Sequence, residues 1–208
     1  MALINEAQML AITKKIIKAD PAFKPIIKNS PICTIGKKRP KHGHFETLVE
    51  SILSQLISTK AADTITARVR ELGKGELTPE SLSRLSHEKL RSAGLTNVKT
   101  RAITELAEAS LSGQINFKSL SRLSNEEISK ELIKITGIGR WTVEMFLIFH
   151  LGRLDVWPVG DLAVRKGWQM VHGKKTEIEA KKLDPLGEAF DGFQSVVAWY
   201  CWRATDTK

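Results

Sequence analysis

The sequence predicts an all-α protein, and three observations carry that prediction. Apolar residues recur at three- and four-residue steps, most clearly at Phe45, Leu48, Val49, Ile52, Leu53 and Leu56, which is the spacing of one helix face. Helix-start chemistry precedes several of the periodic runs. No stretch alternates apolar and polar residues convincingly enough to read as a strand.

Taken in order, the chain opens on "MALINEAQML", which has neither a basic lead nor a long apolar core, so no signal peptide is expected. Over residues 20–44 the prolines Pro21, Pro25, Pro31 and Pro40 interrupt the pattern, and the segment ends in the basic run "GKKRPKHGH". It reads as an ordered loop or connector. Lys37, Lys38, Arg39 and Lys41 are read first as a solvated surface, with phosphate contact or a nuclear address as alternatives. The Phe45–Leu56 run predicts the first strong helix. Thr78-Pro79-Glu80 places a cap before a proline at the first helical position, and Ser124-x-x-Glu127 is a capping-box pattern. Val98, Ile103, Leu106 and Leu111 predict another helix, and Ile128, Leu132, Ile133 and Ile135 lead into a Gly-Ile-Gly turn. "SLSRLS" occurs at Ser81–Ser86 and Ser119–Ser124, marking either two similar helical units or shared helix-start chemistry.

Composition narrows the partners. The 208 residues hold 32 Lys+Arg against 23 Asp+Glu, a net charge of +9 that favours a polyanion. A hydrophobic fraction of 42% suffices for the core of one domain or of two small lobes. Two cysteines far apart in sequence, Cys33 and Cys201, make neither a disulfide framework nor a zinc site. No run is long enough to span a bilayer. The expectation is a soluble monomer with no membrane partner, working in a reducing compartment that holds nucleic acid: the bacterial cytoplasm or a eukaryotic nucleus.

The most informative stretch is Leu132–Asp161, "LIKITGIGRWTVEMFLIFHLGRLDVWPVGD". Gly137 and Gly139 can adopt backbone angles closed to other residues, so a tight turn can join two helices and leave N–H groups for an anion. In a basic chain that anion is a nucleic-acid phosphate. Asp161 follows a proline-glycine turn and precedes an apparent helix, where aspartate is a favoured N-cap. Asp155 is the competing carboxylate.

This run resembles the helix-hairpin-helix DNA glycosylases, and within them the alkylbase (3-methyladenine type) enzymes. The pattern is carried by Ile135, by Gly137-Ile138-Gly139-Arg140-Trp141-Thr142-Val143, by the apolar run Met145–Leu151, and by Pro158-x-x-Asp161. "ILSQLISTKAA" at Ile52–Ala62, "LRSAGLTNVKTRAITELA" at Leu90–Ala107 and "FQSVVAWYCWR" at Phe193–Arg203 are similar to further family segments. In the last of these Gly192 stands for a proline and Gln194 for an arginine. The resemblance covers about Phe45 to Arg203.

The resemblance implies a single glycosylase domain built as a two-lobed helical bundle. One lobe is expected over residues 45–150, the other over 1–44 plus 151–208, with the hairpin at the cleft. It implies that Asp161 is the catalytic carboxylate, and that damaged purines in double-stranded DNA are hydrolysed to free base and abasic site. Trp141, Met145, Trp157, Phe193 and Trp199 are expected around the base, with a buried core position as the alternative for Trp141. Gln55, Leu56, Ser58, Gly137, Gly139, Thr142, Lys99 and Arg101 are expected to meet DNA. Leu56 is either a wedge in the base stack or the end of the apolar face begun at Phe45. The family's lyases carry a lysine where this chain has Trp141, so a hydrolase without lyase activity is implied. No cofactor is required and the four-cysteine iron–sulfur cluster is excluded. A structural monovalent cation, Na+ or K+, is implied at the backbone carbonyls of Ile133, Ile135 and Ile138. A non-catalytic binder of abasic or distorted DNA is the rival from another class.

Overall fold

The computed structural model describes residues 3–206; Met1 and Ala2, which open the stretch read above for a leader, lie outside them. Among the described residues there is no strand, so the all-α expectation holds. Among the described residues no helix is long and apolar enough to cross a membrane. The chain divides into two compact units: Pro40–Phe146, and the described residues of Met1–Arg39 and Leu147–Lys208.

The central unit begins with α3 (His44–Ser54), whose buried face is Phe45, Leu48, Val49, Ile52 and Leu53. The periodic signal was right to Leu53 and stops there. Leu56 has left the helix, with a positive φ of 58° and a fully exposed side chain, so the core reading of this residue fails. The helix α4 (Thr59–Leu72) then starts on a Ser58 cap whose Oγ accepts the Ala61 N–H. The short helices α5 (Pro79–Ser83) and α6 (His87–Ser92) start on Thr78 and Ser86 caps, with Pro79 in the first turn of α5. Helix α7 (Asn97–Leu111) is the spine of this unit: it packs on α3, α5 and α6 through Ala102, Ile103, Leu106 and Ala107. Helix α8 (Asn125–Leu132) opens on the expected capping box, with Ser124 N–H donating to Glu127 and Glu127 N–H to Ser124 Oγ. Ser86 and Ser124, the last residues of the two "SLSRLS" copies, are both caps, which accounts for the repeat as helix-start chemistry. Helix α9 (Arg140–Met145) closes the unit and runs into a π-helical turn, Phe146–His150.

The other unit takes α1 (Glu6–Ala19) and α2 (Lys24–Asn29) from the start of the chain. From its end it takes α10 (Leu162–Val171), α11 (Ala180–Leu183) and α12 (Gln194–Asp206). Its core gathers Phe23, Trp168 and Phe190 edge to face, with His172 stacked on Trp168. Helices α10 and α12 pack most extensively, and Gly167 permits it: a Cβ there would lie 2.0 Å from the Cys201 carbonyl oxygen. Cys33 and Cys201 are buried and free, and burial pushes the Cys33 thiol up to about 12, far from a reactive thiolate.

Candidate active site

In the central unit the hairpin joins α8 to α9. Gly137 has φ +78°, a region that only glycine enters without strain, while a Cβ there would make only ordinary contact with Ala102 and Val98. Gly139 differs from the expectation. It caps α9 with ordinary extended angles, φ −91° and ψ 172°, and a Cβ on it would meet nothing within 4 Å. The fold therefore requires glycine at 137 and leaves open space at 139. Two of the turn's N–H groups are already taken: Ile138 donates to the Ile135 carbonyl, and Thr136 donates to Glu105 Oε2 at 2.7 Å. Burial alone would push the Glu105 carboxyl up. The bonds from Thr136 N–H, Arg101 and the Thr136 hydroxyl outweigh it and hold the carboxyl below its ordinary value.

The turn after α3 is tied to this hairpin. Gln55 Nε2 donates to the Gly137 carbonyl at 3.1 Å and to Thr142 Oγ1 at 3.2 Å. Two residues expected at DNA are thereby corrected. Thr142 is buried and its hydroxyl accepts from Gln55, so it braces the hairpin. Lys99 is also buried, and its ammonium donates to the Leu53 carbonyl at 2.7 Å instead of reaching out to phosphate. Arg101 is exposed as expected, with Nε on Glu105, and Leu56 and Ser58 are exposed. Trp141, one residue into α9, is half exposed, so the buried-core alternative fails for it; Met145 is half-buried.

In the other unit Asp161 is the N-cap of α10. Its Oδ1 accepts the Val164 N–H at 2.8 Å and the Trp202 indole N–H at 3.1 Å. The carboxylate is buried to 7% exposure, whereas Asp155 is exposed. The carboxylate thus sits at the positive end of the α10 dipole and meets two N–H donors. The loop leading to it is pinned by Ser195, whose hydroxyl both accepts the Val156 N–H and donates to the Val156 carbonyl.

The aromatic surroundings of Asp161 differ from those expected. Trp157 donates its indole N–H to the Leu183 carbonyl and packs against Gly187 and Trp168, so it is a structural residue of its unit. Phe193 packs edge-on against Phe190. Trp199 is nearly buried, with Tyr200 at its edge and the Arg203 guanidinium 5.2 Å over its ring, so one face is already covered. The aromatic that meets Asp161 is Trp202, one turn later on α12, with Phe149 tilted against it at 5.3 Å between centroids. Neither was singled out from the sequence. Trp202 was visible as the last tryptophan of "WYCW", one helical turn beyond Trp199. Phe149 is more than half exposed because the π-helical turn shifts its register, a deviation that apolar spacing does not report.

A glycine turn between two helices, bound back by Glu105 and Gln55, and an aspartate later in the chain that caps a helix are the features the resemblance leads one to expect. The family model described as "HhH-GPD superfamily base excision DNA repair protein" matches residues 49–188. The chain belongs to this superfamily. Among its HhH-GPD relatives, DNA-3-methyladenine glycosylase 1 of Schizosaccharomyces pombe is 37% identical over 179 residues, covering 84% of this chain and 76% of the relative. The alkylbase DNA glycosidase-like protein mag2 of the same yeast is 29% identical over 91% of both chains. A crystal structure of a DNA-3-methyladenine glycosidase from Bacillus halodurans superposes with a TM-score of 0.84 at 36% identity, covering 94% of this chain and 89% of that one. The S. pombe 3-methyladenine DNA glycosylase in complex with abasic DNA gives 0.78 at 33%, covering 90% and 94%. The resemblance read from the hairpin is thus borne out, and the expected class, a glycosylase-type hydrolase, is the one for which these HhH-GPD relatives are named.

Proposed function

We propose that the protein is a monofunctional DNA glycosylase that flips alkylated purines, of the 3-methyladenine and 7-methylguanine class, out of duplex DNA and hydrolyses the N-glycosidic bond. The observation that supports this reading is the Asp161 carboxylate, held by Val164 and Trp202, at the residue that the resemblance implies is catalytic. As the C1′–N bond breaks, the base leaves with the bonding electrons and the sugar becomes oxocarbenium-like. A carboxylate about 4 Å from that charge stabilises it by about 4 kcal/mol at an effective dielectric near 20. Water adds at C1′ and gives up a proton, leaving free base and abasic sugar. Trp202 and Phe149 supply aromatic faces suited to a flat, cationic purine, and Trp141 is a half-exposed aromatic of the central unit.

In this reading the hairpin binds phosphate through the Gly137 and Gly139 N–H groups, and Leu56 enters the base stack where the flipped nucleotide was. A single protein molecule acts on the duplex. A Na+ or K+ ion fits at Ile133, Ile135 and Ile138 by donor type, since carbonyl oxygens suit such ions. The Ile135 carbonyl takes the Ile138 N–H and keeps a second lone pair for an ion. The ion would add positive charge beside the phosphate, and no step of the hydrolysis passes through it.

Monofunctional chemistry follows from Trp141, which puts an indole where a lyase needs an amine nucleophile. Lys134, the nearest lysine before the hairpin, is ion-paired with Glu131. The test is release of 3-methyladenine and 7-methylguanine from alkylated duplex, with strand nicks measured separately and borohydride trapping on abasic DNA. The expected result is free base, intact strand and no covalent adduct. Tight binding to abasic DNA with no base release would favour the non-catalytic binder, and a lysine-dependent adduct at neutral pH would favour a lyase.

The two hairpin glycines make a second expected result. Gly139→Val should leave the melting temperature unchanged, because its side chain enters open space, yet weaken binding to all duplexes alike. Gly137→Val should also lower stability, by about 1–2 kcal/mol, through the positive φ. Salt titrations read the binding loss: each lost phosphate contact lowers the slope by about 0.9. A Gly139→Val protein with wild-type affinity and slope would remove the hairpin from the phosphate-binding role.

A further inference from the structure

Leu56 poses a physical question that its proposed wedge role does not answer. It is a fully exposed leucine at a positive φ of 58°, a conformation disfavoured for a branched side chain and with no apolar packing to compensate. Such a turn persists only where its flanks are held. Two side chains hold them. On the helix side, the last turn of α3 leaves carbonyls without intrahelical partners, and Lys99 reaches from α7 to take the Leu53 oxygen at 2.7 Å. On the hairpin side, Gln55 bonds the Gly137 carbonyl and the Thr142 hydroxyl.

Lys99 is an expensive way to cap a helix. The residue is 8% exposed, and burial pushes its pKa below the ordinary lysine value. Part of that cost is offset where it sits, since a cation meets the negative end of the α3 dipole and a charge-assisted hydrogen bond. Helix α7 also carries Glu105, which binds Thr136 of the hairpin from six residues further along. One rigid helix therefore fixes both the turn that bears Leu56 and the hairpin beside it.

We infer that Lys99 is a positioning residue for base flipping: with Gln55 it clamps the α3–α4 turn so that Leu56 is presented outward, ready to enter the duplex. This rests on the wedge role of Leu56. Lys99 touches neither DNA nor base in this account and acts through the backbone of Leu53–Leu56.

The test uses the full chain and compares excision from alkylated duplex with excision from alkylated single strands, where no gap needs filling. Lys99→Met, which keeps the length and removes the donor, should lower duplex excision about tenfold and leave single-strand excision unchanged. Lys99→Arg, which restores a donor, should recover most of the loss. In the Leu56→Ala background Lys99→Met should add nothing, because its effect passes through Leu56. The fluorescence of a 2-aminopurine placed opposite the lesion should report less unstacking for Lys99→Met than for wild type. Equal losses on both substrates, losses that add to those of Leu56→Ala, or unchanged duplex excision would overturn the inference. If Lys99→Met does not fold by circular dichroism, Lys99→Gln, which shortens the side chain and removes its charge, is judged on the same substrates by the same outcomes. The wedge role is judged separately with Lys99 intact: if Leu56→Ala loses no duplex selectivity, that role fails and the clamp falls with it. A selective Leu56→Ala with an unselective Lys99→Met defeats the clamp alone.

Discussion

Asp161→Asn is expected to lower base release from alkylated duplex about a thousandfold while leaving affinity for abasic-site DNA intact or tighter. The asymmetry follows from what the substitution keeps. An asparagine oxygen still accepts from Val164 N–H and from the Trp202 indole, so the start of α10 and the tilt of Trp202 are preserved. Only the negative charge is lost, and it matters only when the sugar becomes cationic. A neutral side chain also removes repulsion from the phosphate backbone, which is why binding does not suffer. Single-turnover release of labelled base measures the first quantity, and titration of abasic duplex measures the second. Asp155→Asn is the control: that carboxylate is exposed, and turnover there should match wild type. Wild-type release by Asp161→Asn would end the catalytic assignment and with it the main support for a glycosylase over a passive binder.

The sequence reading succeeded where local chemistry and final structure agree. The caps at Thr78, Ser124 and Asp161 are decided within four residues, and all three form as read. The hairpin was legible because Gly137 needs its positive φ whatever surrounds it. Failures came where a distant partner decides the outcome. Nothing near Lys99 in the sequence says that the carbonyl of Leu53 will be waiting forty-six residues away. Leu56 continued the apolar spacing of α3, and only the helix end after Ser54 turns it to solvent. Trp157 and Trp202 are both tryptophans near Asp161 in one sense or another. It took the fold to send the first to Leu183 and the second to the carboxylate. Gly192 is a further case. It stands where the family pattern has proline and adopts φ +81°, an angle proline's ring forbids, so the entry to α12 departs from that pattern in backbone as well as residue type.

Gly167→Ala tests the packing on which the Asp161–Trp202 bond depends, and the sign of its effect is informative. In an ordinary helix interior, replacing glycine by alanine stabilises by about 0.5–1 kcal/mol, because it restricts the unfolded chain. Here the new Cβ would lie 2.0 Å from the Cys201 oxygen, 2.4 Å from its carbonyl carbon and 2.7 Å from its Cα. All three are backbone atoms, so no side-chain rotation relieves the overlap, and α10 must move away from α12. The loss should reach about 3 kcal/mol, the upper end for overpacking, which lowers the melting temperature by roughly 6–12 °C in a chain of this size. Gly160→Ala is the matched control, since a Cβ at that position meets nothing within 4 Å. The functional consequence is separate from the thermal one. Asp161 caps α10 and Trp202 rides on α12, so separating the helices stretches the 3.1 Å bond that holds the carboxylate. Base release per folded molecule should therefore fall in Gly167→Ala even well below its melting temperature, and remain normal in Gly160→Ala. Wild-type melting by Gly167→Ala would mean that the two helices are not in backbone contact, and that the indole bond to Asp161 has some other support.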